Sequence, residues 1–215
     1  MQIKIRPLIY SDLDEVMQIE PIAFGVHHWS RQSFVNELNN SCGEYFAAVG
    51  SSKLVGYSGF WLIGEEAHIT TLAVHPDERR RYIGERLLIH DIERAEKAGA
   101  RWLTLEVRVS NQSAQELYFK YGFKSLGLRR HYYQDNGEDA LVLWTDNITS
   151  PQFKELIAER TKSLQQAIES LAQTPDAFIS TNCAPDLLAH QFVSGGHAKP
   201  KQQCEGTAAD SSESK

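Results

Sequence analysis

The sequence has no apolar run long enough to cross a bilayer, only three cysteines and no excess of positive charge, and each absence narrows what the chain can be. A membrane-spanning helix needs about 20 consecutive apolar residues. The chain offers none. Cys42, Cys183 and Cys204 are odd in number, far apart and without a C-x-x-C pair. That argues against a disulfide framework and against a zinc site, and suits a reducing compartment. The formal charge of −6 disfavours non-specific nucleic-acid binding. Residues 1–6 alternate apolar and polar side chains, as a strand does, and lack the continuous apolar stretch of a secretory leader. The expectation is a cytoplasmic protein with no metal, no membrane contact and no direct nucleic-acid partner.

What is present suffices for one compact domain with an extension: 215 residues, 41% of them hydrophobic. Composition changes near residue 150, after which the aromatics thin out to Phe153, Phe178 and Phe192. The spacing predicts a helix from Pro151 to about Gln173, with Phe153, Leu156, Ile157, Leu164, Ile168 and Leu171 on one stripe. Gly195-Gly196 and the small, polar run 206–215 then read as a disordered tail. The division expected is a domain over 1–148 and an extension over 149–215. Within the domain, strands are predicted over 2–8, 45–49, 53–63, 67–74 and 101–109, with two more flanking the turn-prone Asn136-Gly137. Helices are predicted over 12–22 with Ser11 as cap, after Ser30, over 83–98 and over 111–121 with Ser110 as cap. This is α/β (α+β): a mixed, mostly antiparallel sheet of about seven strands flanked by about four helices.

Two segments carry candidate chemistry. Residues 75–86 join a strand to the long helix and bring Arg79, Arg80, Arg81 and Gly84 to the helix start. Unpartnered N–H groups and the peptide dipoles favour an anion there. Arginines in a loop also occur as a plain solvated turn. Residues 102–109 alternate at period two, so Glu106 shares a face with Thr104 and Arg108. A mid-strand carboxylate is either functional or simply paired, here with Arg108. In the following helix Ala114, Leu117, Tyr118 and Tyr121 share one face, which makes Tyr118 by default a core tyrosine. His27-His28 lack partners at ligand spacing, and Trp61, Trp102 and Trp144 read as sheet residues. His131-Tyr132-Tyr133 suits either a peptide-binding lip or an edge strand packing on its neighbour.

The run Thr104-Leu105-Glu106-Val107-Arg108 and its continuation through Tyr118 to Phe123 resembles the GNAT acetyltransferases, in particular the ribosomal-protein alanine N-acetyltransferase (RimI) type. So do Thr71-Leu72-Ala73-Val74, Arg129-Arg130-His131-Tyr132-Tyr133, Trp29-Ser30 and Glu138-Asp139-Ala140. Residues 79–84 resemble the family's Q/R-x-x-G-x-G/A loop, with Tyr82 where the first glycine usually stands. The likeness covers residues 1–146. It implies a GNAT fold and direct acetyl transfer from acetyl-CoA to an amine, with Glu106 as general base and Tyr118 as general acid. It implies cofactor contacts from Leu72, Ala73, Val74, Arg79, Arg80, Arg81, Tyr82, Ile83, Gly84, Glu85 and Asn111. It implies acceptor contacts from Trp29, Arg130, His131, Tyr132 and Tyr133. The acceptor implied is a protein N-terminus, the alanine of a ribosomal protein, with the enzyme a monomer. A lysine side chain or small amine as acceptor, or a non-catalytic acyl-CoA-binding role, are the alternatives.

Overall fold

The structure, a computed structural model, describes residues 2–173 and 189–191. Phe178, Phe192, Gly195-Gly196, the run 206–215, Cys183 and Cys204 lie outside the described residues. In chain order the elements are β1 (Ile3–Pro7), α1 (Leu13–Phe24), α2 (Arg31–Leu38), β2 (Gly43–Gly50), β3 (Lys53–Ile63), β4 (Glu66–Val74), α3 (Ile83–Lys97), β5 (Trp102–Arg108), α4 (Gln112–Lys120), β6 (Phe123–Tyr133), β7 (Glu138–Thr145), α5 (Pro151–Gln173) and β8 (Ala189–Gln191).

The sheet runs β1-β2-β3-β4-β5-β7-β6, with β8 added on β4. Its pairs are antiparallel except β4 with β5, which pair in parallel only through residues 66–68 and 102–104. Beyond His68 and Thr104 these two strands share no register, and a gap opens in the middle of the sheet.

Burial on the two faces explains why the helices sit where they do. One core joins Leu72, Val74, Leu105 and Val107 to α3 and α4 through Leu87, Leu88, Ile92, Leu117 and Tyr118. The other joins Tyr45, Tyr57 and Ala73 to α1 and α2 through Leu13, Val16, Ile19 and Phe34. Helix α5 belongs to the first core: Phe153, Ile157 and Leu164 are buried in it. Its approach is close enough that a Cβ on Gly122 (φ +86°) would stand 2.9 Å from Leu156.

Two helix starts differ from expectation, for local reasons. Asp12, not Ser11, precedes α1, and its carboxylate is engaged by Arg6 at 2.6 and 2.7 Å and by the Ile9 N–H at 2.9 Å. Asn111, not Ser110, caps α4, its Oδ1 accepting from the Ala114 N–H at 3.2 Å. Ser30 caps α2 as expected, accepting from the Ser33 N–H at 3.1 Å. Two features of the fold run against the sequence reading. Residues 189–191, placed within the expected disordered tail, form a strand. Cys42, expected to be reduced, is disulfide-bonded. Spacing along the chain did not reveal it because pairing depends on Cα separation in space.

Candidate active site

Glu106 lies on β5 two residues beyond the last pairing of β5 with β4, and Tyr118 lies on α4. Alternation along β5 turns Leu105 and Val107 toward the α3–α4 core and Glu106 toward the α1–α2 side. Tyr118, on α4, lies in the α3–α4 core, its ring 5.5 Å from Phe123. The two candidate groups therefore lie on opposite faces of the sheet.

Glu106 is 1% exposed, and a carboxylate in that position stays ionised only with charged or donor partners. It has two. Arg129 on β6 places its guanidinium 3.0 Å from Oε1, and His68 on β4 places Nε2 2.9 Å from Oε2. The imidazole nitrogen is in close contact with the carboxylate oxygen. The local pairing with Arg108 is not made. Arg108 instead holds Asp135 at 2.8 Å and Glu138 at 3.1 Å, and stacks over the Tyr133 ring at 3.8 Å. His68 and Arg129 were not singled out in the sequence. Their relation to Glu106 depends on strand register, which no local pattern discloses.

Tyr118 is 1% exposed, and burial, then the nearby Asp91 and Tyr133, push its phenol well above the ordinary range. It holds its proton throughout neutral pH. Tyr133 is raised as well, chiefly by burial, and its hydroxyl reaches toward the Glu106 carbonyl at 3.5 Å. Of the expected acceptor residues, Tyr133 thus lines the gap. Tyr132 packs edge-on against it at 5.1 Å. His131, at φ +51°, folds back on its own hairpin: its N–H donates to Asp139 and its Nδ1 meets the Gly137 carbonyl. Arg130 is exposed. Trp29 packs on Phe34 at 5.3 Å, and its N–H donates to the fully buried Glu20 at 3.2 Å.

The expected cofactor residues divide along the cleft. Arg80 and Tyr82 are both left-handed (φ +62° and +59°), and Tyr82 is the residue ahead of α3. Tyr82 thus takes the conformation that favours glycine, at a backbone cost of about 1–3 kcal/mol. The Tyr82 side chain does not cap α3, so the positive dipole end of the helix is not met by a cap at that position, as an anion site needs. Arg81 is drawn to Glu78, and Arg79 reaches back to the Val74 carbonyl at 3.4 Å. The Glu85 carboxylate is taken by Lys120 at 2.6 Å and Tyr121 at 2.7 Å, which leaves its backbone N–H as the group it can offer. Oδ1 of Asn111 serves the α4 cap. Leu72 and Ala73 lie on the gap edge of β4, paired with His190 and Ala189 of β8. That edge evidently accepts an extended chain.

Residues 11–123 match the acetyltransferase (GNAT) family. The chain belongs to that family. A Bacillus subtilis protein provisionally named a ribosomal protein bS18-alanine N-acetyltransferase is 40% identical over 141 residues, covering 65% of this chain and 93% of its own. The Escherichia coli K12 ribosomal protein bS18-alanine N-acetyltransferase is 34% identical over 143 residues, covering 65% of this chain and 94% of its own. The crystal structure of the E. coli ribosomal-protein-S18-alanine N-acetyltransferase superposes with a TM-score of 0.61 at 32% identity, over 67% of this chain and 93% of that one. The chain is therefore a GNAT acetyltransferase of the RimI type, and acetyl-CoA is the acetyl source of this family. Among the described residues no helix is long and apolar enough to cross a membrane, and no cluster of ligating side chains could hold a metal ion.

Proposed function

We propose that the enzyme acetylates the α-amine of a protein N-terminus, the alanine of a ribosomal protein S18, with Glu106 as general base and Tyr118 as general acid. One observation supports the reading: a buried carboxylate sits on β5 just beyond its pairing with β4, and a buried phenol that keeps its proton sits on α4 across the sheet. The choice of acceptor leans on the relatives named for that reaction.

The residues present suit the cofactor. The edge of β4 at Leu72, Ala73 and Val74, where β8 pairs at residues 71–73, would take an extended arm in place of β8, and the start of α3 with Arg79, Arg80 and Gly84 suits a pyrophosphate. When bound there, acetyl-CoA supplies an activated thioester carbonyl. Glu106 takes a proton from the acceptor ammonium, directly or through one water, and frees the nitrogen lone pair. A free α-amine has a pKa near 8, so this step is needed at neutral pH. The nitrogen–carbon bond forms as the carbon–sulfur bond breaks, and Tyr118 donates its proton to the departing thiolate sulfur. Tyr118 regains a proton from the new amide nitrogen, and Glu106 releases its own to solvent. No covalent enzyme intermediate is required.

The test is acetyl transfer to two peptides, one with a free N-terminal alanine and no lysine, the other N-terminally blocked and carrying lysine. Modification of the first alone supports the reading. Modification of the blocked peptide alone moves the function to side-chain amines.

A further inference from the structure

Two of the side chains against Glu106 differ in exposure. His68 sits on β4, next to β5, with its side chain 18% exposed. Arg129 sits on β6, the far edge strand of the sheet, with its side chain 53% exposed. The register of β6 against β7 is interrupted between Arg129 and Tyr133, so the strand is irregular where it supplies this arginine. The guanidinium also rests on an aromatic face while it pairs with Glu106: its carbon is 5.6 Å from the centre of the Tyr132 ring. An exposed, long cation that keeps this aromatic contact when its ion pair is broken is the partner that can leave.

An acceptor ammonium must come to the same carboxylate. With His68 against Oε2, the oxygen open to exchange is Oε1, which Arg129 occupies. We propose that Arg129 is a placeholder for the acceptor's ammonium group, displaced from Glu106 when substrate binds, and that His68 is the positioning residue that keeps the carboxylate aimed during the exchange. In the empty site the arginine compensates the buried negative charge. In the occupied site the substrate's own cation takes over that task, and the arginine turns toward solvent over Tyr132. This makes Arg129 a specificity-determining residue: a neutral group entering the cleft gains nothing that offsets breaking the Arg129–Glu106 pair, whereas an ammonium does. The inference rests on Glu106 being the base.

Steady-state kinetics with the free alanine peptide at saturating acetyl-CoA test both halves, on the full chain. Arg129→Gln keeps length and loses charge. It is expected to lower the acceptor KM about fivefold, since the ammonium no longer competes with an ion pair, with a smaller change in kcat than in KM. His68→Ala is expected to lower kcat about tenfold or more with little change in KM, and His68→Gln, which keeps a donor, to recover most of that loss. A raised KM or a lost kcat in Arg129→Gln would overturn the placeholder role. Equal turnover in His68→Ala and the parent, or equal loss in the Ala and Gln variants, would overturn the positioning role. Glu106→Gln, run alongside, separates the two levels. Full turnover in that variant defeats the base assignment itself. A dead Glu106→Gln with no opposed effects at 129 and 68 defeats this inference alone.

Discussion

The two faces of the β4–β5 gap solve the burial of a titratable group in opposite ways. On the α1–α2 side, the buried Glu106 carboxylate has Arg129 and His68 against it, and another buried carboxylate, Glu20, accepts from the Trp29 N–H. On the α3–α4 side, Tyr118 is kept neutral by an apolar wall of Leu117, Phe123 and Val107, and the buried Asp91 is pushed toward its protonated form as well. A proton acceptor needs the first environment and a proton donor needs the second. Under the proposed roles the difference between the faces is a division of labour, and each prediction below attacks one side of it.

The largest effect is expected at the charged face. Glu106→Gln removes the proton acceptor and should lower kcat by about a hundredfold to ten-thousandfold, read by single-turnover acetylation of the alanine peptide. A variant within twofold of the parent would mean that solvent alone deprotonates the amine and that the charged face only binds.

The apolar face should fail first in stability. Cutting the chain after Ile148 removes Phe153, Ile157 and Leu164 from the core, each worth about 1.5–3 kcal/mol against a total of about 5–15. The product is expected to lose its cooperative thermal transition, whereas a cut after Gln173 should retain it. Retained cooperativity in the shorter form would show that α5 is an appendage. The longer form carries a second expectation. β8 and an extended pantetheine arm compete for the same groups on β4 at residues 71–73, so its removal should lower the KM for acetyl-CoA by about threefold. An unchanged KM would mean that β8 yields without cost.

Much of this was legible in the sequence where periodicity and turn chemistry are strong. The alternation of residues 102–109 placed Glu106 on the face opposite Leu105 and Val107, and Asn136-Gly137 marked the β6–β7 hairpin. The resemblance pointed to Tyr118 where spacing alone gave only a core tyrosine. The rest depended on contacts between distant residues. Nothing near Glu106 in the chain announces His68 or Arg129, and the nearby Arg108 was a decoy because Asp135 and Glu138 arrive from the next hairpin. Tyr82 was readable as a departure from the loop pattern, but its left-handed backbone was not. The pairing of residues 189–191 was hidden by a composition that suggests no order.

A smaller kinetic effect is expected at the acid. Tyr118→Phe should slow turnover about tenfold to a hundredfold, because water can reach a departing thiolate less well than a fixed phenol can. The fold should tolerate it, since the ring keeps its packing on Phe123. A melting temperature that falls together with kcat would make the hydroxyl structural.

The smallest effect concerns Asp91, and it tests whether the apolar face really keeps its groups neutral. Asp91 is fully buried on α3, accepts from the Ser58 hydroxyl at 2.8 Å, and burial raises its carboxyl well above 3.8. A carboxyl raised in the folded state contributes its full stability below the unfolded value, and that contribution is lost as the pH climbs through the folded value. Asn carries no such loss and can still accept from Ser58. Asp91→Asn should therefore match the parent near pH 4 and exceed it at higher pH, by about 1 kcal/mol, in denaturant melts run across pH. If Asp91 is neutral during the reaction, the amide reproduces its charge and the pH–rate profile keeps its shape. A profile that loses a limb in Asp91→Asn would place an ionising carboxylate beside Tyr118 and break the division between a charged face and a neutral one.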